Sequence, residues 1–310
     1  MKAVEFTVPP AYEGASLKGF LRGFAGCSAR LLTAAKRIPD GLLCNGVPAT
    51  ARTPVSAGDT VRLAIPASPC GAEPVPLPLT VVWEDASVLV VEKPAGMPAY
   101  PCPGHDRDTL ANAVCALLLK RGEEPEYHPI YRLDRDTTGL VVVGKDSFAA
   151  SRLSGAVEKE YRALCAGTLV GEGVCDGPIG LLPGHTIQRC VRPDGERAVT
   201  HWQSLLVLDG FSLVSFHLET GRTHQIRVHM AAAGHPLLGD DMYGGPTSLV
   251  TRQALHCARV SFLHPVTQRP LSFSSPLPPD LSSLLPANTE DRFAQSGKTA
   301  TEWAFHGHNR

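Results

Sequence analysis

The stretch from His128 to Leu140, HPIYRLDRDTTGL, constrains this chain more than any other. It packs Arg132, Asp134, Arg135 and Asp136 together directly before the apolar run Leu140-Val141-Val142-Val143. The β-branched residues of that run favour a strand, so a dense cluster of charge is fixed at a strand entrance. By composition alone the cluster fits a solvated turn. A second stretch, Leu218 to Met230 (LETGRTHQIRVHM), shifts the balance. In a helix starting near Thr223, Ile226, Met230 and Ala233 share a face at i, i+4 and i+7, and Arg227 borders it. An arginine at the edge of an apolar face requires an acidic partner. The charged turn at 132–136 is the best-placed source of one.

Several classes are excluded on simpler grounds. Gly139, Gly144 and Lys145 fit the opening of a phosphate-binding loop, G-x-x-x-x-G-K, but Asp146 replaces the hydroxyl residue that would hold Mg²⁺, and strand-forming residues occupy the loop positions. No nucleotide cofactor is expected. An apolar content of 43% over 310 residues rules out wholesale disorder and suits about two domains. No apolar run approaches the roughly 18–20 residues needed to span a bilayer. The N-terminus MKAVEFTVPP lacks a basic start followed by an apolar core, so a soluble, unexported, cytoplasmic protein without membrane partners is expected. The nine cysteines include no C-x-x-C pair and read as reduced thiols. His128, His217, His229 and His235 read as structural, with no metal site among them.

The formal net charge of −1 is an average. Residues 1–70 carry +4, which leaves −5 for the remainder, so a basic head precedes a mildly acidic body. In the head, Leu17, Phe20, Leu21 and Phe24 mark one face of a helix, and a second, basic helix follows around 28–37. Two short β-type runs, GLLCNGVPA and VSAGDTVRLAI, carry turn signals at Asn45-Gly46 and Gly58-Asp59. This order, with Gly41, Asn45, Gly46, Gly58 and Asp59, resembles the S4 RNA-binding domain over about 50 residues. It departs from that family at Ser16-Leu17-Lys18, where an Arg-Leu-Asp opening is usual. A basic domain that packs on the body without touching RNA fits the same residues.

The expected organisation is therefore a small S4-like α/β domain at 1–66, an extended Pro-rich linker at 67–79, a catalytic body at 80–285 and a flexible tail at 286–310. The body opens with two apolar strand runs around Glu84-Asp85. A helix from about Asp108, strands around 138–144, 159–168, 197–208 and 211–219, and helices around 146–156 and 223–233 follow. This is an α+β body on a largely antiparallel mixed sheet.

The motifs of the body resemble those of the RluA-type pseudouridine synthases. Tyr131 to Leu140 matches H-R-L-D-x-x-T-[ST]-G-L, with Tyr131 in place of His. Lys93-Pro94-Ala95-Gly96, Lys159-Glu160-Tyr161-Arg162-Ala163, Gly221 to Met230, and Gly234 to Asp240 with Tyr243-Gly244 follow in family order. The resemblance spans residues 78–285 and implies the pseudouridine synthase fold and an isomerisation: the N1–C1′ bond of uridine breaks, the base turns over, and C5 joins C1′. Such a reaction requires no cofactor, metal or nucleotide. It implies Asp134 as the catalytic carboxylate, acting on the sugar or the base, with Arg227 as its basic partner and Tyr161 stacking on uracil or removing the C5 proton.

The target must be flipped out of its stack. The resemblance implies Arg132 as the residue that fills the vacated space, while Arg222, His224 and Gln225 at a helix start can hold a phosphate or the base edge. Arg222 and His224 also fit a capped, solvated helix terminus. The expected partner is RNA: large-subunit ribosomal RNA, with transfer RNA as the alternative substrate. A non-catalytic RNA-binding factor is the rival function. A monomer is expected.

Overall fold

The computed structural model describes residues 2–287 and 289. Two compact units emerge: Met1–Asp136, Leu140–Val157 and Ser261–Ser272 form the first, and Thr137–Gly139, Glu158–Val260 and the chain from Phe273 onward form the second. The segment expected as a tail, 286–310, lies outside the described residues except for 286, 287 and 289.

In the first unit, β1 (Lys2–Thr7) leads into α1 (Leu17–Gly23) and α2 (Ala29–Ala35), whose N-termini are capped by Ser16 and Ser28. Then come β2 (Leu42–Cys44), β3 (Val47–Pro48) and β4 (Thr60–Ile65), in an antiparallel sheet of order β1-β4-β2-β3. Asn45 and Gly46 both take positive φ, 51° and 76°, as a two-residue hairpin turn requires. The Asn45 amide donates to Asp59 Oδ1 at 2.8 Å and accepts from the Thr60 amide at 2.9 Å, which explains why those turn residues occur together. Leu17, Phe20 and Leu21 of α1 pack with Leu31, Val61, Leu63 and Ile65 in a core that also takes in Phe148. Strand β1 was not anticipated; its KAVEFT alternation is too short to stand out, and its six-residue pairing with β4 supplies what the local pattern lacks.

The Pro-rich segment 67–79 has no regular structure, yet it is tied down. Cys70 N donates to Pro125 O at 2.8 Å, and the Asn112 side chain donates to Glu73 O at 2.7 Å. Next come β5 (Thr80–Glu84) and β6 (Val88–Lys93), an antiparallel hairpin whose turn is closed by Asp85 Oδ1 accepting from the amides of Ser87 and Val88. Helix α3 (Leu110–Lys120) starts at a capping box between Thr109 and Asn112. Strand β7 (His128–Pro129) pairs with β8 (Thr138–Gly144), and α4 (Ser147–Leu153) is capped by Asp146. Every residue of β8 is buried, which accounts for its unbroken apolar run.

The second unit holds β9 (Glu158–Ala166), β10 (Glu172–Cys175), β11 (Ile179–Leu181), β12 (Arg189–Val191), β13 (Thr200–Val207), β14 (Phe211–Leu218), α5 (Gln225–Ala232), β15 (Leu255–Leu263), β16 (Pro270–Ser274) and the short α6 (Pro279–Ser282). The boundary falls within β8, β15 and β16, each of which contributes residues to both units. The strand order is β10-β13-β14-β9-β15, with β11 and β12 forming a separate ribbon. Antiparallel pairs dominate, but Thr138 and Gly139 pair in parallel with His256 and Cys257, so the α+β sheet is mixed as expected. Strand β15 is nine residues long and was missed from sequence, because the Arg and His within LHCARVSFL break the apolar pattern.

Gly139 has φ +114°, and a Cβ there would collide with the backbone of Cys257. Gly139→Ala is therefore expected to destabilise the protein by at least about 3 kcal/mol, read as a lower urea midpoint at unchanged slope. His256 accepts or donates at Nδ1 with Thr138 Oγ1 (2.8 Å), and its Nε2 faces Ser275 O at 3.3 Å. Burial pushes its pKa down to about 4, with nearby Arg252 and Arg162 acting in the same direction. The folded state thus favours neutral imidazole: its contribution is complete above the unfolded pKa of about 6.5 and is lost as pH falls from there to about 4. Urea titrations at pH 7.5 and 4.5 should differ by about 3 kcal/mol more in the native protein than in His256→Gln.

Candidate active site

The loop 131–136 enters β8 without regular structure of its own, and hydrogen bonds hold it in place. Tyr131 Oη donates to Leu140 O at 2.9 Å. The decisive contact comes from Lys93, at the end of β6, whose side chain is fully buried. Its ammonium donates to Arg135 O at 2.7 Å, and to Pro94 O and Met97 O at 2.8 Å each. One cation thus ties the loop to the turn that follows β6. Within the loop Asp134 is half-buried, whereas Arg132 and Arg135 are exposed. Arg135 donates through Nε and Nη2 to Asp136 Oδ2 at 3.0 and 2.9 Å, so the last two charges of the cluster are paired with each other.

The second unit carries Tyr161, buried on β9, and the residues around α5. Arg227 is buried and donates from Nε to Asp240 Oδ2 at 2.7 Å and from Nη2 to Asp240 Oδ1 at 2.8 Å. Sequence reasoning looked for its acidic partner at 132–136; within its own unit that partner is Asp240. The available signal was the Gly239-Asp240 pair at the end of the Gly234 motif. The Arg227 guanidinium also lies over the Tyr243 ring, 5.0 Å from the centroid. Tyr243 shares a hydrogen bond of 2.8 Å with His224 Nδ1 and packs edge-on against that imidazole. His224 is the N-cap residue immediately before α5 and takes a left-handed conformation, φ 58°.

The structure engages two further predicted residues within the protein. Gln225 uses its whole amide: Oε1 accepts from Thr220 Oγ1 and the Arg222 amide, and Nε2 donates to Val199 O and Thr200 Oγ1. Arg222 donates from Nε to Arg197 O at 3.0 Å and pairs through Nη1 with Glu196. His229 bonds Thr200 Oγ1 and Gly177 O, and burial lowers its pKa; both ring nitrogens serve the fold. Lys145, the lysine of the apparent phosphate loop, is buried and pairs with Glu84 and Glu123.

Comparison with known proteins agrees with these motifs. A family model described as RNA pseudouridylate synthase matches residues 87–232. The chain is 41% identical over 273 residues to "Uncharacterized RNA pseudouridine synthase YjbO" of Bacillus subtilis, covering 85% of this chain and 96% of that protein. It is 36% identical over 269 residues to "Ribosomal large subunit pseudouridine synthase D" of Xanthomonas campestris, covering 80% and 81%. The fold matches that of "Human RNA Pseudouridylate Synthase Domain Containing 1" with a TM-score of 0.56 at 23% identity, over 71% of this chain and 94% of that one. Sustained similarity of this length places the chain in the RNA pseudouridine synthase family, a family of isomerases that act on RNA.

Lys93 was quoted from sequence only as part of a motif, yet it holds the loop that carries Asp134. Lys93→Met would leave three carbonyls without their donor, at a cost of about 3 kcal/mol in stability. Trypsin should then cut after Arg132 or Arg135 faster than in the native protein under conditions where both remain folded. Equal cleavage rates would show that the ammonium does not restrain the loop.

Proposed function

We propose that this enzyme converts a uridine of large-subunit ribosomal RNA to pseudouridine in the cytoplasm, acting as a monomer, with Asp134 as the catalytic carboxylate. The single observation that carries the catalytic assignment is the half-buried Asp134 on a loop anchored by a buried ammonium. A carboxylate held this way is placed by the protein rather than by solvent, as a nucleophile or base requires. In the reaction the N1–C1′ bond breaks, the base rotates, C5 bonds to C1′, and the C5 proton leaves to solvent while N1 gains one. Tyr161 stacks on the uracil and assists loss of the C5 proton. Arg227 serves as the basic partner of the catalytic carboxylate. Arg132, exposed beside Asp134, fills the gap left by the flipped base; its planar guanidinium suits stacking. His224 contacts substrate phosphate or base, whereas the bonded amide of Gln225 and the paired guanidinium of Arg222 shape the turn before α5.

The choice of ribosomal RNA rests on relatives whose names carry large-subunit specificity, among them that of Vibrio cholerae, 38% identical over 234 residues. Residues 1–66 act as an S4-like domain that adds RNA affinity. Release of tritium from C5-labelled uridine tests the whole reading. The native enzyme should release it from large-subunit ribosomal RNA, and Asp134→Asn should lose at least about a thousandfold in kcat while keeping its urea midpoint within about 1 kcal/mol. Release from transfer RNA alone would overturn the substrate. Full activity in Asp134→Asn would overturn the mechanism, and no release from any RNA by the native protein would favour a non-catalytic RNA-binding role.

A further inference from the structure

Arginines cluster between residues 189 and 227, and nearly all have carboxylate partners. Arg192 pairs with Asp194, Arg197 with Glu219, Arg222 with Glu196 and Arg227 with Asp240. Arg189 differs. Among the described residues it forms no ion pair, and its Nε is buried without a hydrogen-bond partner. A desolvated guanidinium N–H with no acceptor is unfavourable in a folded protein and is retained where a ligand completes it.

Its position indicates which ligand. Arg189 opens β12, which pairs with β11, and its backbone amide donates to Tyr243 Oη at 3.0 Å. The same Tyr243 hydroxyl bonds His224, and its ring carries Arg227. Arg189 is therefore one residue removed from the cluster that contains two predicted site residues. Asp194, Glu196, Glu219 and Asp240 each have a cationic partner, and Arg189 has no carboxylate partner among the described residues, so its guanidinium can take its counter-charge from outside the chain. The substrate is a polyanion whose phosphates suit a planar guanidinium.

We propose that Arg189 binds a backbone phosphate of the RNA substrate, a task that sequence reasoning gave to Arg222, His224 and Gln225. The inference rests on the catalytic reading above. Because the contact is formed only with RNA, the free enzyme carries the cost of the unpaired N–H. The apolar, similarly shaped Arg189→Met removes that cost without touching the backbone bond to Tyr243.

The test uses full-length enzyme and an in vitro transcript of large-subunit ribosomal RNA from which the native protein releases C5 tritium. Arg189→Met should raise KM about tenfold, keep kcat within about twofold, and reduce the slope of log affinity against log salt by about 0.7–0.9. Its urea midpoint should equal or exceed that of the native protein. Arg222→Met should leave the salt slope unchanged, since its guanidinium is paired with Glu196. An unchanged KM and salt slope in Arg189→Met, with native tritium release intact, overturns the proposal. A lowered urea midpoint in Arg189→Met also overturns it, because the side chain would then be serving the fold. Failure of the native protein to release tritium instead removes the catalytic reading on which the proposal stands.

Discussion

A lysine ammonium wholly removed from water must find its hydrogen bonds inside the protein, and Lys93 finds them on three main-chain carbonyls. Those acceptors belong to separate pieces of chain, the turn at 94–97 and the loop at 132–136. A neutral donor could bridge two of them. An ammonium, with three strong donors in a tetrahedral arrangement, bridges all three and gives each bond the added strength of charge. The loop that presents Asp134 is in this way stiffened without secondary structure, while β8 immediately after it is fixed by the close approach of Gly139 to Cys257. A loop held in this way leaves Asp134 little freedom to drift.

The α5 cluster solves a related problem by pairing. Arg227 is buried, and a buried cation is tolerable only with a well-placed counter-charge. Asp240 supplies it in two parallel bonds, and Tyr243 covers the guanidinium face. The left-handed residue His224 lets the chain enter α5 at the angle that brings its imidazole to the Tyr243 hydroxyl. Gln225 closes the same turn with a fully bonded amide. Conformation, charge and packing therefore specify one arrangement, in which His224, Gln225 and Arg227 each have a defined partner.

What was legible in the sequence follows from range. Helix α1 announces itself because Leu17, Phe20 and Leu21 recur at helical spacing, and β8 because Leu140 to Val143 are apolar on both faces. Those signals are local. Strand β1 takes its stability from β4, more than fifty residues away in the chain, and β15 is interrupted by His256 and Arg259, so neither has a pattern visible in a short window. The Pro-rich segment was readable as extended, but its attachment to α3 depends on Asn112, whose amide had no reason to be singled out. The motifs of the sequence contain Lys93, Asp134 and Asp240. Only the folded chain separates the lysine that clamps a loop from one that waves in solvent, or gives Arg227 its Asp240.

The same pairings explain how an RNA-acting enzyme can have almost no net charge. Arginines at 192, 197, 222 and 227 each have a carboxylate partner, so in that region cation and anion numbers rise together and cancel. The pairs of Arg192, Arg197 and Arg222 are exposed and contribute little stability, unlike the buried pair of Arg227. Their effect is to fix guanidinium positions and to withdraw those cations from indiscriminate attraction to phosphate. A strongly basic surface would bind any RNA and release it slowly, whereas an enzyme that must select one uridine gains from weak general attraction and a few well-placed contacts. Low bulk charge is then a consequence of how these guanidinium groups are paired within the fold.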